Sequence, residues 1–353
     1  MKVRDNRWDF YKGLLIFGVI LGHVITAYKC GSEVSSWLAV FLRTYDMPFF
    51  AFVTGFFLNK SCQKRKAHLN VLNKITSILF PIILWTIIFN FINLQFSFHI
   101  GRFWFLWSIL CVSVIIIVID SLTSNNIIKL ILFFLVTLVL HTLIKGSYNL
   151  GFLFVPCAFG YYFSDITTLI KNKRFNILYL KIIIILLFIV LYSFWKTDYN
   201  VWKTGCDIFA FGTPFKTAMI ILYRTCLGLT GCLTMKWLFD EVFRLLSNSQ
   251  YVQLNKVSNA FVHIGRSTLE LYILQTFFVE NIGARVLKKI IEFISFNPFV
   301  IHINLLNLLI APATTLIAII VMYYFQKYIK KIPFIGNYIF GFSNLKLTIK
   351  NKG

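Results

Sequence analysis

Lys12 and His23 mark the two ends of one apolar run, Gly13 to Gly22, so a primary amine and an imidazole share a single hydrophobic segment. Eleven residues at about 100° each return to within roughly 20° of the same helical face and climb about 16 Å. Lys12 can then hold negative charge at one mouth of the segment while His23 works deeper along the same line. Neutral imidazole, with an ordinary pKa near about 6.5, takes a hydroxyl proton at physiological pH more readily than Lys, Asp or Tyr. The same histidine could simply pack and hydrogen-bond within a helix bundle, and spacing does not choose between the two roles.

The residues around this pair extend the chemistry. Asp9 lies one turn before Lys12, placed for an i,i+3 ion pair near the positive start of a helix. Gly18 and Gly22 form a G-x-x-x-G, which predicts the close approach of a second helix. A second apolar stretch reads Arg43-Thr44-Tyr45-Asp46-Met47-Pro48-Phe49-Phe50 and then Thr54-Gly55. Pro48 frees a backbone carbonyl there, and Asp46 is a candidate to orient or balance His23, although a plain Arg43–Asp46 pair fits as well. Lys60, Lys64, Arg65, Lys66 and Lys74 form a basic patch suited to lipid headgroups or to the phosphates of an activated donor. Trp104 and Trp107 offer platforms for stacking a sugar, but the 39 phenylalanines of the chain suit a lipid-facing surface first. Glu270 and Arg224 are further ionisable groups at or inside apolar stretches, where each costs free energy unless partnered or functional.

The elements that must position these groups follow from composition. The 353 residues are 58% hydrophobic and only 14% charged, with a mean hydropathy of +0.76. That pattern defines an all-α integral membrane protein rather than a soluble one. Apolar stretches long enough to cross a bilayer fall near 12–29, 37–58, 74–94, 103–120, 127–144, 149–164, 178–195, 215–239, 268–284 and 300–325, which predicts a bundle of about ten transmembrane helices. The connection from Lys196 to Pro214 has room for a re-entrant piece. The net charge of +22 could suggest nucleic acid, yet the basic residues sit in short clusters between apolar runs. Most of them fall on the side holding both termini, which makes that side cytoplasmic. The start of the chain mimics a secretory signal but lacks a small-residue cleavage site, so it reads as a retained first helix. Residues 1–353 form one membrane domain on this reading, with a basic cytoplasmic tail over 326–353. The seven cysteines include no C-x-x-C, and no metal site is expected; Cys30 and Cys206 fall on the same predicted outer side and could pair.

As a set, these residues resemble the acyltransferase-3 family of membrane acyltransferases, especially its polysaccharide and fucose O-acetylase branch. The resemblance is carried by Arg7-x-Asp9-x-x-Lys12-Gly13 through Gly22-His23, by Tyr45-Asp46-Met47-Pro48-Phe49-Phe50 with Thr54-Gly55, and by Phe103-Trp104-Phe105-Leu106. Pro156 to Gly160-Tyr161 and Ile264-Gly265-Arg266-Ser267-Thr268 through Tyr272 add to it. Asp46 and Gln275 stand where many relatives have His, and Lys74-Ile75-Thr76-Ser77 replaces a family R-x-x-R. The resemblance implies acetyl-CoA as a cytoplasmic acyl donor and cosubstrate, a carbohydrate hydroxyl as acceptor, free or lipid-linked, and a bacterial-type plasma (inner) membrane. It implies catalysis by His23 with Asp46 beside it. Lys12, Asp9, Arg43, Lys74, Trp104 and Glu270 are then candidates for donor or acceptor binding. The rival classes are a lipid-linked glycan flippase or polymerase, expected to carry several cations in central cavities, and a small-molecule transporter, expected to show paired repeats and broken helices.

Overall fold

The computed structural model describes residues 5–28, 37–93, 100–142, 149–172, 177–200, 205, 207–209, 213–247, 251–283, 309–332 and 338–341. Cys30, Cys206 and most of the 326–353 tail lie outside them. Among the described residues every regular element is helical. In chain order they are α1 (Asn6–Tyr28), α2 (Trp37–Cys62), α3 (Ala67–Ile92, with a π segment at Ile75–Leu79) and α4 (Trp104–Leu122, entered through a 3-10 turn). Then come α5 (Asn126–Thr142), α6 (Leu150–Asn172), α7 (Ile177–Ser193), α8 (Pro214–Ser247), α9 (Val252–Arg266), α10 (Thr268–Gln275, running on as a π segment through Thr276–Gly283) and α11 (Ala311–Ile329).

Five of these helical stretches are long and apolar enough to cross a membrane: Asn6–Thr26, Ala67–Ile92, Gly101–Leu122, Leu150–Thr168 and Pro214–Ser247. The chain is a multi-pass membrane protein. Its surface agrees, since Ile87, Phe91, Phe134, Ile183, Ile189 and Ile317 are each more than half exposed. A water-soluble protein would bury such side chains, whereas hydrocarbon solvates them. α8, with 34 residues, is about 51 Å long and so overruns a hydrocarbon core of about 30 Å.

α1 is the axis. Phe10, Ile16, Ile20 and Ile25 on different sides of it are wholly buried, as expected for a helix apolar all round that is surrounded by neighbours. α2, α8, α9, α10 and α11 all pack on it. The closest approach is not at Gly18 and Gly22, where the sequence predicts it. A Cβ on Gly22 would meet nothing within 4 Å, and one on Gly18 only Leu42 Cδ2 at 3.3 Å. Backbone contact occurs instead at Gly13 and Gly265, where an added Cβ would collide with the Phe261 and Asp9 carbonyl oxygens respectively. α2 and α6 cross in the same reciprocal way, Gly55 on the Cys157 carbonyl and Gly160 on the Phe52 carbonyl. Without side chains at these four positions the helices touch main chain to main chain, which fixes their register tightly.

Candidate active site

Pro48 sits inside α2 without ending it. Its ring lies against Gly228 of α8, where a Cβ would come within 3.2 Å of Pro48 Cγ. Lacking an N–H at Pro48, the helix leaves the Thr44 carbonyl without its usual partner. Here α1, α2, α4, α6 and α8 part to wall a cavity with about 170 Å³ of room for water-sized molecules. His23 and Gly22 face it from α1, Arg43, Thr44 and Asp46 from α2, Trp104 from α4, Phe152 from α6 and Arg224 from α8. The connection after α7 contributes Trp195 and Asn200. Among its described residues this connection holds a short 3-10 turn, Thr197–Tyr199, and no longer re-entrant helix. Arg224 donates to the carbonyl of Gly205 in the same connection.

Four sequence-derived candidates, His23, Asp46, Arg43 and Trp104, thus share one cavity. Asp46 does not pair with His23: its Oδ1 accepts the backbone N–H of Met47 at 2.6 Å. Arg43 reaches across to α1 and donates to Thr26 Oγ1 at 2.7 Å, while that hydroxyl donates to the Gly22 carbonyl at 2.8 Å. The carboxylate beside the imidazole is Glu280, with Oε1 3.2 Å from His23 Nδ1. Glu280 also accepts from Gln275 Nε2 at 3.2 Å. Sequence reasoning passed over it, although an acid within an apolar run is the signal that drew attention to Glu270.

The remaining candidates lie elsewhere. Lys12 Nζ is 2.7 Å from Asp9 Oδ1, and Asp9 Oδ2 is 3.5 Å from Arg266 Nε. Arg266 also donates to Asn6 Oδ1 at 3.0 Å. Next to this group, Asp240 accepts the Tyr11 hydroxyl and pairs with Lys236 Nζ at 2.6 Å. Lys74 stands where α3 enters its π segment, on the side of Cys62 and Cys157. Glu270 pairs with Lys330 Nζ at 2.6 Å. None of these four candidates lines the cavity.

One imidazole, two arginines and a carboxylate facing a cavity inside a multi-pass helical bundle define a class: membrane proteins that gather ionisable side chains at an internal cavity. The sequence profile described as "Acyltransferase domain" matches residues 5–327, and the chain belongs to that family, the acyltransferase-3 membrane acyltransferases. The chain is similar to nodulation protein NolL of Sinorhizobium fredii, 25% identical over 125 residues, covering 30% of this chain and 34% of the relative. It is also similar to nodulation protein NolL of Mesorhizobium japonicum, 25% identical over 178 residues, covering 43% and 48%. The chain thus aligns with about a third to a half of the length of these curated relatives. No solved structure matches it.

Proposed function

We infer that this acyltransferase moves an acetyl group from cytoplasmic acetyl-CoA to a hydroxyl of a cell-surface or lipid-linked carbohydrate, and that it does so as a ten-span protein of the inner membrane with both termini in the cytoplasm. The observation that carries the reading is His23, the one imidazole among the described residues lining a cavity that is walled by two tryptophans and by hydrogen-bonding side chains. Tryptophan faces suit the apolar face of a sugar ring, and Asn200, Thr44 and the arginines suit its hydroxyls. His23 takes the hydroxyl proton as the acceptor oxygen attacks the thioester carbonyl. The new C–O bond forms, the C–S bond breaks, and the departing thiolate takes the proton back from the imidazolium, leaving ester and thiol. Lys12 and Lys60, which both lie over the Phe57 ring, supply positive charge for donor phosphates at the other end of α1. Arg43 and Asp46 set the charge of the cavity wall, Asp46 pinned by its Met47 bond.

The test is transfer of labelled acetyl from acetyl-CoA to glycan by purified membranes, comparing wild type with His23→Ala. Loss of transfer by about 10²–10⁴-fold in the variant is expected for removal of a general base. Full activity in His23→Ala would remove the imidazole from the chemistry. Absence of transfer by the wild type to any glycan would favour a transport function instead.

A further inference from the structure

Glu280 stands in a π segment, and that register decides which side chains it meets. In an α-helix five residues advance about 500°, leaving side chains at i and i+5 about 140° apart and unable to meet. The π register closes its hydrogen bonds between residues five apart and brings such a pair onto one face. The segment begins at Thr276, immediately after Gln275, so it opens between Gln275 and Glu280. Gln275, 1% exposed, then donates to Glu280 Oε1, the same oxygen that faces His23 Nδ1. Arg102 adds positive charge beside that carboxylate, its guanidinium held 3.7 Å over the Phe89 ring.

We propose, on the acyl-transfer reading above, that Glu280 is the positioning residue of His23, holding Nδ1 so that Nε2 is the nitrogen that takes the hydroxyl proton. When Glu280 is ionised, its carboxylate only accepts hydrogen bonds. The ring nitrogen facing it therefore carries the proton, and the lone pair of the neutral ring is left on Nε2. When Nε2 takes the acceptor's proton the ring becomes a cation, and the Glu280 charge 3.2 Å away stabilises that cation at the moment the C–O bond forms. Asp46 lines the same cavity, but the carboxylate oxygen facing His23 Nδ1 is that of Glu280, while Asp46 Oδ1 accepts the Met47 amide of its own helix. The π segment is thus the device that delivers a carboxylate to His23 from a helix whose α-helical register would turn it away.

The experiment measures kcat and KM for both substrates in the acetyl-transfer assay for Glu280→Ala, Glu280→Gln and Glu280→Asp, beside His23→Ala. Glu280→Ala is expected to lower kcat on the order of 10–100-fold with KM nearly unchanged, since the group acts on the ring and not on substrate. Glu280→Gln keeps an oxygen to accept from Nδ1 but loses the charge, and Glu280→Asp keeps the charge on a shorter arm, so each is expected to recover part of the loss. Wild-type kcat in both Glu280→Ala and Glu280→Gln, alongside an inactive His23→Ala, would overturn the assignment of Glu280 and leave the acyl-transfer reading standing. A rise in KM at unchanged kcat would likewise overturn it, by making Glu280 a substrate contact. Full activity in His23→Ala would remove the imidazole, and Glu280 with it, from the chemistry, whereas absence of transfer by the wild type would fell the acyl-transfer reading itself. Glu280→Gln, close in shape to the native residue, keeps the test open if Glu280→Ala does not fold.

Discussion

The two ends of α1 are built from similar parts and arranged to opposite effect. At the Lys12 end the charges are drawn into ion pairs, Lys12 and Arg266 sharing Asp9 and Lys236 on Asp240, and Gly13 brings a neighbouring backbone into contact. At the His23 end the helix has open space beside Gly22, and the polar groups turn toward a cavity. One helix therefore serves as a clamp below and as a wall above. Glycine does the separating: at Gly13 the missing side chain is filled by another helix, and at Gly22 it is filled by nothing.

The largest effect expected from this contrast is on assembly. Gly265→Leu or Gly13→Leu must push two backbones apart, because the colliding atoms are carbonyl oxygens that cannot rotate away. Overpacking of this kind costs about 3 kcal/mol or more. Recovery of folded protein and thermal unfolding in detergent should both collapse. A folded, wild-type-stable Gly265→Leu would show that the crossing is not as close as described.

Substitution at Gly22 should separate stability from activity. Gly22→Ala places its Cβ in open space and removes backbone freedom from the unfolded chain, so a gain of about 0.5–1 kcal/mol is expected. Gly22→Leu intrudes on a cavity with about 170 Å³ of room. Transfer should then fall by about tenfold or more through misplacement of the acceptor, while the melting temperature holds. A Gly22→Leu variant with full activity would mean that the acceptor does not occupy this space.

Much of the fold was legible because hydrocarbon imposes simple rules. The stretches 37–58, 103–120 and 215–239 reappear as the cores of α2, α4 and α8, since a run of apolar residues has few places to go other than across a bilayer. His23, Arg43, Asp46 and Trp104 met in one cavity because ionisable or indole groups in apolar runs turn inward. The count of spans was less legible: α5 and α7 have only 17 residues each, and α2 is interrupted by Arg43 and Asp46. α9 escaped notice as a partner of α1 because its polar residues dilute its hydropathy, and only the paired glycines 13 and 265 reveal the contact. Glu280 carried the signal of an acid in an apolar run, but not the direction in which it faces. Helical-wheel reasoning assumes the α period, and the π segment breaks it.

Asp9→Asn probes the clamp without touching the cavity. Asp9 is 2% exposed and answers both Lys12 and Arg266, so its neutral replacement leaves two cations facing each other. Lys12 is 23% exposed and can swing outward, which limits the expected loss of stability to about 1–3 kcal/mol. Unfolding temperature in detergent measures it, and kcat should change far less than in His23→Ala. A kcat loss matching that of His23→Ala, in protein of normal stability, would mean that the charges at Lys12 take part in the chemistry at His23 and do more than clamp helices or hold the donor.

The smallest effect belongs to Glu270, and its size tests whether the ionisable groups have been sorted correctly. Glu270 and Glu280 lie on one continuous helical stretch, and both are acids in apolar surroundings, so sequence alone gives no reason to separate them. Their partners do: Glu280 faces an imidazole, and Glu270 faces Lys330, which is 39% exposed. An ion pair with one partner so open to solvent contributes about 0–1 kcal/mol, because water screens it and the long lysine chain loses freedom in forming it. Glu270→Gln should therefore shift the melting temperature only slightly and leave kcat within about twofold of wild type. Because Lys330 follows α11, the variant also tests the link between the start of α10 and the end of α11. If Glu270→Gln instead lost activity while keeping its stability, Glu270 would have to act on substrate. The reacting region would then reach well beyond the cavity around His23.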